Sequence, residues 1–207
     1  MPLRTVAIIL WVIAGLAVVV LAWRLLLGPH DSGGRELFPA LPSTPVIERG
    51  DGHAYQYVAA ANITWARARD AAARMTSNGR PGYLATIEDR AEFDFILHKV
   101  FPRDDTDVTY LGGRQTAPGD WRWVTGPDGA ADGGKGELFW QGNENGAVVG
   151  GHYAIWEYPA FQHGGKWDVS KVCCVTLFSY RLRQMSTTLG NGDTDEGVAG
   201  YLVEFSK

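Results

Sequence analysis

The sequence predicts an α+β domain with two helices, small antiparallel sheets and a long loop region, carried behind one N-terminal membrane helix. Three observations predict it. First, in Tyr110–Gly126 an apolar run ending at Gly112-Gly113 leads to a turn at Pro118-Gly119-Asp120. A second run follows, in which Trp121 and Trp123 alternate with Arg122 and Val124. Period two puts both indoles on one face of a strand, where each brings a large apolar area to a core. Second, two segments with helical apolar spacing precede these strands, and the chain closes on GYLVEF, which alternates Tyr201, Val203 and Phe205. Third, eight Trp, eight Tyr and 26 Gly beside only 20% charged residues suit an aromatic core with long loops, not a helical bundle. The net charge of -4, with Arg and Lys scattered along the chain, argues against a nucleic-acid partner.

In chain order, Val6–Leu27 is apolar for about 22 residues apart from Arg24, which spans roughly 33 Å as a helix and is enough to cross a bilayer core. It is too long for a signal-peptide core, and no small-x-small cleavage site precedes Gly28, so it reads as an uncleaved anchor over residues 1–27. Arg4 and the amino terminus on one side face Arg24 and Arg35 on the other and leave its orientation open. Residues 28–47 carry Pro29, Pro39, Pro42 and Pro45 among Gly and Ser and form a tether. The domain then occupies residues 48–207.

HAYQYV alternates Tyr55 and Tyr57 as a first strand. Asn62-Ile63-Thr64 has the form of a glycosylation acceptor, but Thr64 is more simply the N-cap of a helix with Trp65, Ala68, Ala72 and Met75 on its apolar stripe. Gly79-Arg80-Pro81-Gly82 stops that helix. GYLATI is a short buried strand. In the second helix Phe93, Ile96, Leu97 and Val100 fall at i, i+3, i+4 and i+7, and Pro102 ends it. The closing strand can pair with the first and bring both ends of the domain together. Cys173 and Cys174 are adjacent, which offers either a vicinal disulfide or two buried thiols; the thiols are the expectation.

These pieces, in this order, resemble the C-type lectin-like domain in its compact bacterial form. The matching residues are Thr64-Trp65 with Ala68 and Ala72, GYLATI before a Glu-rich helix start, YLGG at Tyr110–Gly113 and WRWVTG at Trp121–Gly126. Phe139-Trp140 before Gly142, Gly165-Lys166-Trp167-Asp168 and the final GYLVEF complete the set, from about His53 to Phe205. The resemblance implies a binding module whose loops take calcium, which in turn chelates sugar hydroxyls. Ca2+ wants six to eight oxygens, so carboxylates and amides leave positions open for a diol.

Family members that bind sugar in this way carry a Glu-Pro-Asn or Gln-Pro-Asp loop, a further Glu and a Trp-Asn-Asp strand. This chain has Asn143, Glu144 and Asn145 with no proline, His152 at the Glu position, and Trp167-Asp168-Val169. Asn143, Glu144, Asn145 and Asp168 are a remnant of the family set and not a complete site; they read either as polar residues of a solvated loop or as the ligands of a calcium ion. A histidine nitrogen is a poor ligand for so hard a cation. Trp156, Tyr158 and Phe161, in an aromatic loop with Tyr153, are the expected ligand-contacting residues beside His152. Calcium is the one cofactor the resemblance implies.

Ser170–Ala199 is longer than the family needs. Cys173–Phe178 reads as the penultimate strand, and residues 178–199 as an insertion ending in the acidic turn Asp193-Thr194-Asp195-Glu196. No Gly-x-Ser-x-Gly elbow, His-Glu-x-x-His, P-loop or dinucleotide fingerprint is present, so no enzymatic activity is expected. The expectation is a single-pass membrane protein with its domain outside the cytoplasm, periplasmic or extracellular. It would recognise a protein partner as an accessory subunit of a membrane complex, the alternative being a calcium-assisted carbohydrate-binding lectin.

Overall fold

The first long strand and the last lie side by side, as the alternation in each predicts. The structure, a computed structural model, describes residues 42–101, 106–142, 146–154, 172–179, 184–189 and 198–207. All belong to one unit, Ala40–Lys207. The anchor and most of the tether lie outside the described residues, and among those described no helix is long and apolar enough to cross a membrane.

Strand β1, Ile47–Glu48, pairs with β2, Ala54–Ala59, in which Tyr55 and Tyr57 are buried. Helix α1, Trp65–Ala72, begins at Thr64, whose hydroxyl accepts the Arg67 amide as the sequence suggests. It buries Trp65, Ala68 and Ala72, and the Trp65 indole donates to the Leu111 carbonyl. The helix ends earlier than the sequence suggests. Thr76–Ser77 (β3) turns back onto β4, Arg80–Leu84, so the Gly-Arg-Pro-Gly stretch lies within a small hairpin.

Helix α2, Arg90–Phe95, is capped by Asp89, whose carboxylate accepts the Glu92 amide at 2.7 Å. Asp89→Ala is expected to cost about 1 kcal/mol, read as a lower urea midpoint at unchanged slope. Beyond Phe95 the helix widens into a π-helical turn, Ile96–Val100, a change of backbone register that side-chain spacing does not encode. Phe93, Ile96, Leu97 and Val100 are all buried, as their spacing predicts. Pro102 lies outside the described residues.

The hub is β5, Thr106–Ala117. It forms a hairpin with β6, Asp120–Trp123, through Pro118 and Gly119; Gly119 takes the positive φ of 82° that a Pro-Gly turn requires. Trp121 and Trp123 both point into the core. A 3-10 turn at Pro127–Ala130 and an irregular helical turn at Ala131–Gly134 lead to β7, Glu137–Gln141, and to β8, Ala147–Val148. Strand β9, Val172–Ser179, pairs with β5, and β10, Gln184–Leu189, pairs with β9. Six residues of the stretch read as an insertion are thus a strand of the sheet. Within β9, Cys173 and Cys174 are buried and bonded to each other, where two free thiols were expected.

Strand β11, Gly200–Phe205, runs antiparallel to β2, from Gly200 opposite Ala59 to Phe205 opposite Ala54. It also meets β4 antiparallel and β5 parallel, so it is buried along its whole length instead of on alternate residues. The main path through the sheet is β1-β2-β11-β5-β6-β7-β8. A mixed sheet with few helices is compatible with the α+β class expected. One core side gathers Tyr55, Phe93, Leu111, Trp121, Trp123 and Phe139; the other gathers Trp65, Leu84, Tyr110, Val203 and Phe205.

Candidate functional site

Of the residues the sequence assigns to a ligand site, the structure describes His152; Asn143, Glu144, Asn145, Trp156, Tyr158, Phe161 and Asp168 lie outside the described residues. His152 follows β8 and is half-buried, with Nε2 at 2.9 Å from Glu137 Oε1 of β7. Its ring is therefore engaged by a carboxylate of the neighbouring strand. On β6, Arg122 donates to the Gly136 carbonyl at 2.7 Å and meets Asp132 at 3.1 Å, fixing the turn before β7. Trp140 is half-buried and sits opposite Val148, which is 39% exposed. Tyr153 packs on Phe93 with 5.9 Å between ring centroids, so part of the aromatic loop is core.

A second constellation gathers where β2, β4, α2 and β11 meet. Glu204 of β11 is almost fully buried. Its Oε1 accepts the Tyr83 hydroxyl at 2.7 Å and lies 2.6 Å from His53 Nδ1, while its Oε2 accepts the Thr86 amide at 3.3 Å. Tyr83 also meets the Ser206 hydroxyl at 2.6 Å. Beside it, Glu92 is buried in the first turn of α2, accepting the Tyr55 hydroxyl at 2.6 Å and the Glu88 amide at 2.7 Å. A buried carboxylate survives only with such donors.

Proximity and burial perturb the whole group. Burial, then the charge of Glu204, pushes the Glu92 carboxyl up to about 7. Burial likewise raises Glu88 and Asp128, which also feel each other or Glu204. The bond to Glu204 raises His53 above the ordinary imidazole value, and burial raises the Tyr55 and Tyr83 phenols. An open cleft of about 790 Å³ lies against this cluster, lined by Glu48, Asp51, His53, Arg80, Glu88 and Lys207 among others. Arg80 closes one side by pairing with Glu48 and donating to the Gly52 carbonyl at 2.9 Å.

The cluster has no spacing signature, since His53 and Glu204 are 151 residues apart. The signal that could have found it is Glu204 itself, an acid amid the apolar residues of GYLVEF. Among the described residues, no group of three or more His, Cys, Asp or Glu side chains is arranged to hold a metal ion.

No family model matches the chain. Halomucin of Haloquadratum walsbyi is 35% identical over 112 residues, which are 54% of this chain and 1% of that protein. Among solved structures, a chain of rhodocetin in complex with the integrin alpha2-A domain with strontium superposes with a TM-score of 0.38 at 14% identity. That alignment covers 77% of this chain and 95% of the other.

Proposed function

We propose that the chain is a membrane-anchored binding module of C-type lectin-like fold, displayed outside the cytoplasm, that recognises a protein partner as an accessory subunit of a membrane complex. The observation that carries this reading is the sheet order. β1 and β2, which follow the tether, form one end of the path, and β7 and β8, which flank the candidate loop, form the other. The candidate loop thus lies at the end of the sheet path away from the strands by which the chain enters the domain. The ordered motifs from Thr64 to Phe205 and the β2–β11 closure support the fold assignment. A match confined to 1% of a much longer protein suits a module. Fold alone names no ligand, so the partner rests on experiment.

Copurification of the full chain from its own membranes after mild solubilisation tests the proposal. A defined, stoichiometric companion is the expected result, and a lone monomer on a native gel overturns it. The second reading, a calcium-assisted lectin, is favoured by Asn143, Glu144, Asn145 and Asp168; the engagement of His152 with Glu137 argues against it. Any ligand that binds only the native state raises its melting temperature by mass action. The expected calcium titration shows no shift that Glu144→Ala or Asp168→Ala abolishes. A saturable shift lost in both variants would establish the lectin instead.

A further inference from the structure

We propose that the start of α2 is a pH-operated latch, in which a buried knot of Glu92, Glu204 and His53 holds the helix to the sheet in mild acid and releases it above neutrality. Beside the core packing of Phe93, Ile96, Leu97 and Val100, the polar ties at the start of the helix end on carboxylates. Tyr55 of β2 donates to Glu92, which also accepts the Glu88 amide and so closes the loop before the helix. Thr86, just ahead of that loop, donates its amide to Glu204 of β11, and His53 bridges to the same carboxylate. Charge introduced at Glu92 therefore acts on the contacts that position the helix.

The groups around Glu92 set Arg49, a cation that bonds Tyr55 and attracts Glu92, against several carboxylates. From β2 and its approach come Tyr55, His53 and Arg49, and Arg49 already meets Asp51 at 3.1 Å and Asp89 at 3.7 Å. From the loop before α2 come Glu88 and Asp89, whose carboxylate accepts the Glu92 amide, and from β11 Glu204, which Tyr83 of β4 and Asp128 of the 3-10 turn face in turn. On the outer face, Arg90 and Asp94 pair with each other at 3.0 Å, and Tyr153 lies over the neighbouring Phe93.

Both principal groups act in the same direction. Glu92 is raised to about 7, so what it contributes to stability is complete below the ordinary carboxylate range and is lost as pH climbs to about 7. His53 is raised as well, so its contribution is complete below the ordinary imidazole value and is lost as pH rises through the folded one. Glu88 and Asp128, also raised, add to the same trend. A negative charge appears at Glu92 as pH climbs to about 7, and a positive one disappears at His53 above the ordinary imidazole value.

Hydrogen exchange on the full chain, in chelator and corrected for intrinsic rates, tests the latch. The opening constant of the amides at Glu92–Phe95 is expected to rise about a hundredfold from pH 5 to pH 8, while amides in β6 change far less. Glu92→Gln should cut that rise to less than about tenfold. A rise that the substitution leaves intact, or one shared equally by β6, overturns the proposal. Should the variant fail to fold, carbon-detected NMR of the Glu92 carboxyl in the unaltered chain decides. A midpoint near 7 that coincides with the rise in exchange at Glu92–Phe95 upholds the latch, and one in the ordinary carboxylate range, or one without that rise, overturns it.

Discussion

Gly112→Ala is expected to remove a large share of the stability of the domain, at a cost of about 4 kcal/mol. A β-carbon at Gly112 would lie 2.6 Å from the Leu84 carbonyl oxygen and would overlap the Thr125 hydroxyl. Neither neighbour is free to move. The Thr125 hydroxyl donates to that same Leu84 carbonyl at 2.7 Å, and the Gly112 amide donates to Ala85 at 2.8 Å. The Val124 amide in turn donates to the Gly112 carbonyl at 3.0 Å, so β5 is fastened on both sides here. The substitution both overpacks the core and breaks a buried hydrogen bond. Against a typical domain stability of about 5–15 kcal/mol, that loss brings the urea midpoint close to zero for a marginal fold.

Pairing the change with Thr125→Ala separates the two contributions. Removing the hydroxyl relieves one overlap but leaves the backbone oxygen of Leu84 in place, so less than half of the stability should return. Full recovery would mean that the side chain, not the backbone approach, makes glycine necessary. The adjacent Gly113 faces Val175 and Trp123 instead, with a β-carbon falling 2.8 Å from the indole. The Gly-Gly pair is thus a packing requirement on both faces of one strand.

What the sequence made legible followed from periodicity and capping. Tyr55 with Tyr57, and Trp121 with Trp123, alternate, and all four are buried. Thr64 stands where an N-cap belongs and acts as one. Glu204 falls on the strand face that alternation leaves to solvent, and its burial is not legible because its partners arrive from residues 53, 83 and 86, far away in sequence. Strand β10, QMSTTL, offers little apolar alternation; its pairing with β9 is a matter of backbone hydrogen bonds, which composition does not announce. The π-helical turn escaped for a related reason, since widening the backbone by one residue kept the same four side chains inside. The expected ligand loop was read from a resemblance, and the structure speaks to it through His152 and its bond to Glu137.

Trp123 provides the sharper test of how that core is built. Its indole stacks on Phe139 with centroids 4.4 Å apart and planes 18° from parallel, joining β6 to β7. It is 1% exposed, and its Nε1 has no hydrogen-bond partner among the described residues. Truncation to alanine opens a cavity between two strands and should cost about 3–5 kcal/mol. Phenylalanine keeps the stacking and removes a buried donor, so Trp123→Phe should cost less than about 2 kcal/mol, the lost volume being partly offset by the absent N–H. Urea unfolding of the two variants checks the ordering. If phenylalanine proved as damaging as alanine, the N–H would have to be bonded in the folded state, and the indole would be held by a polar contact instead of by its ring. If both were mild, the stack would be replaceable, and the W-x-W motif would matter for strand register more than for packing.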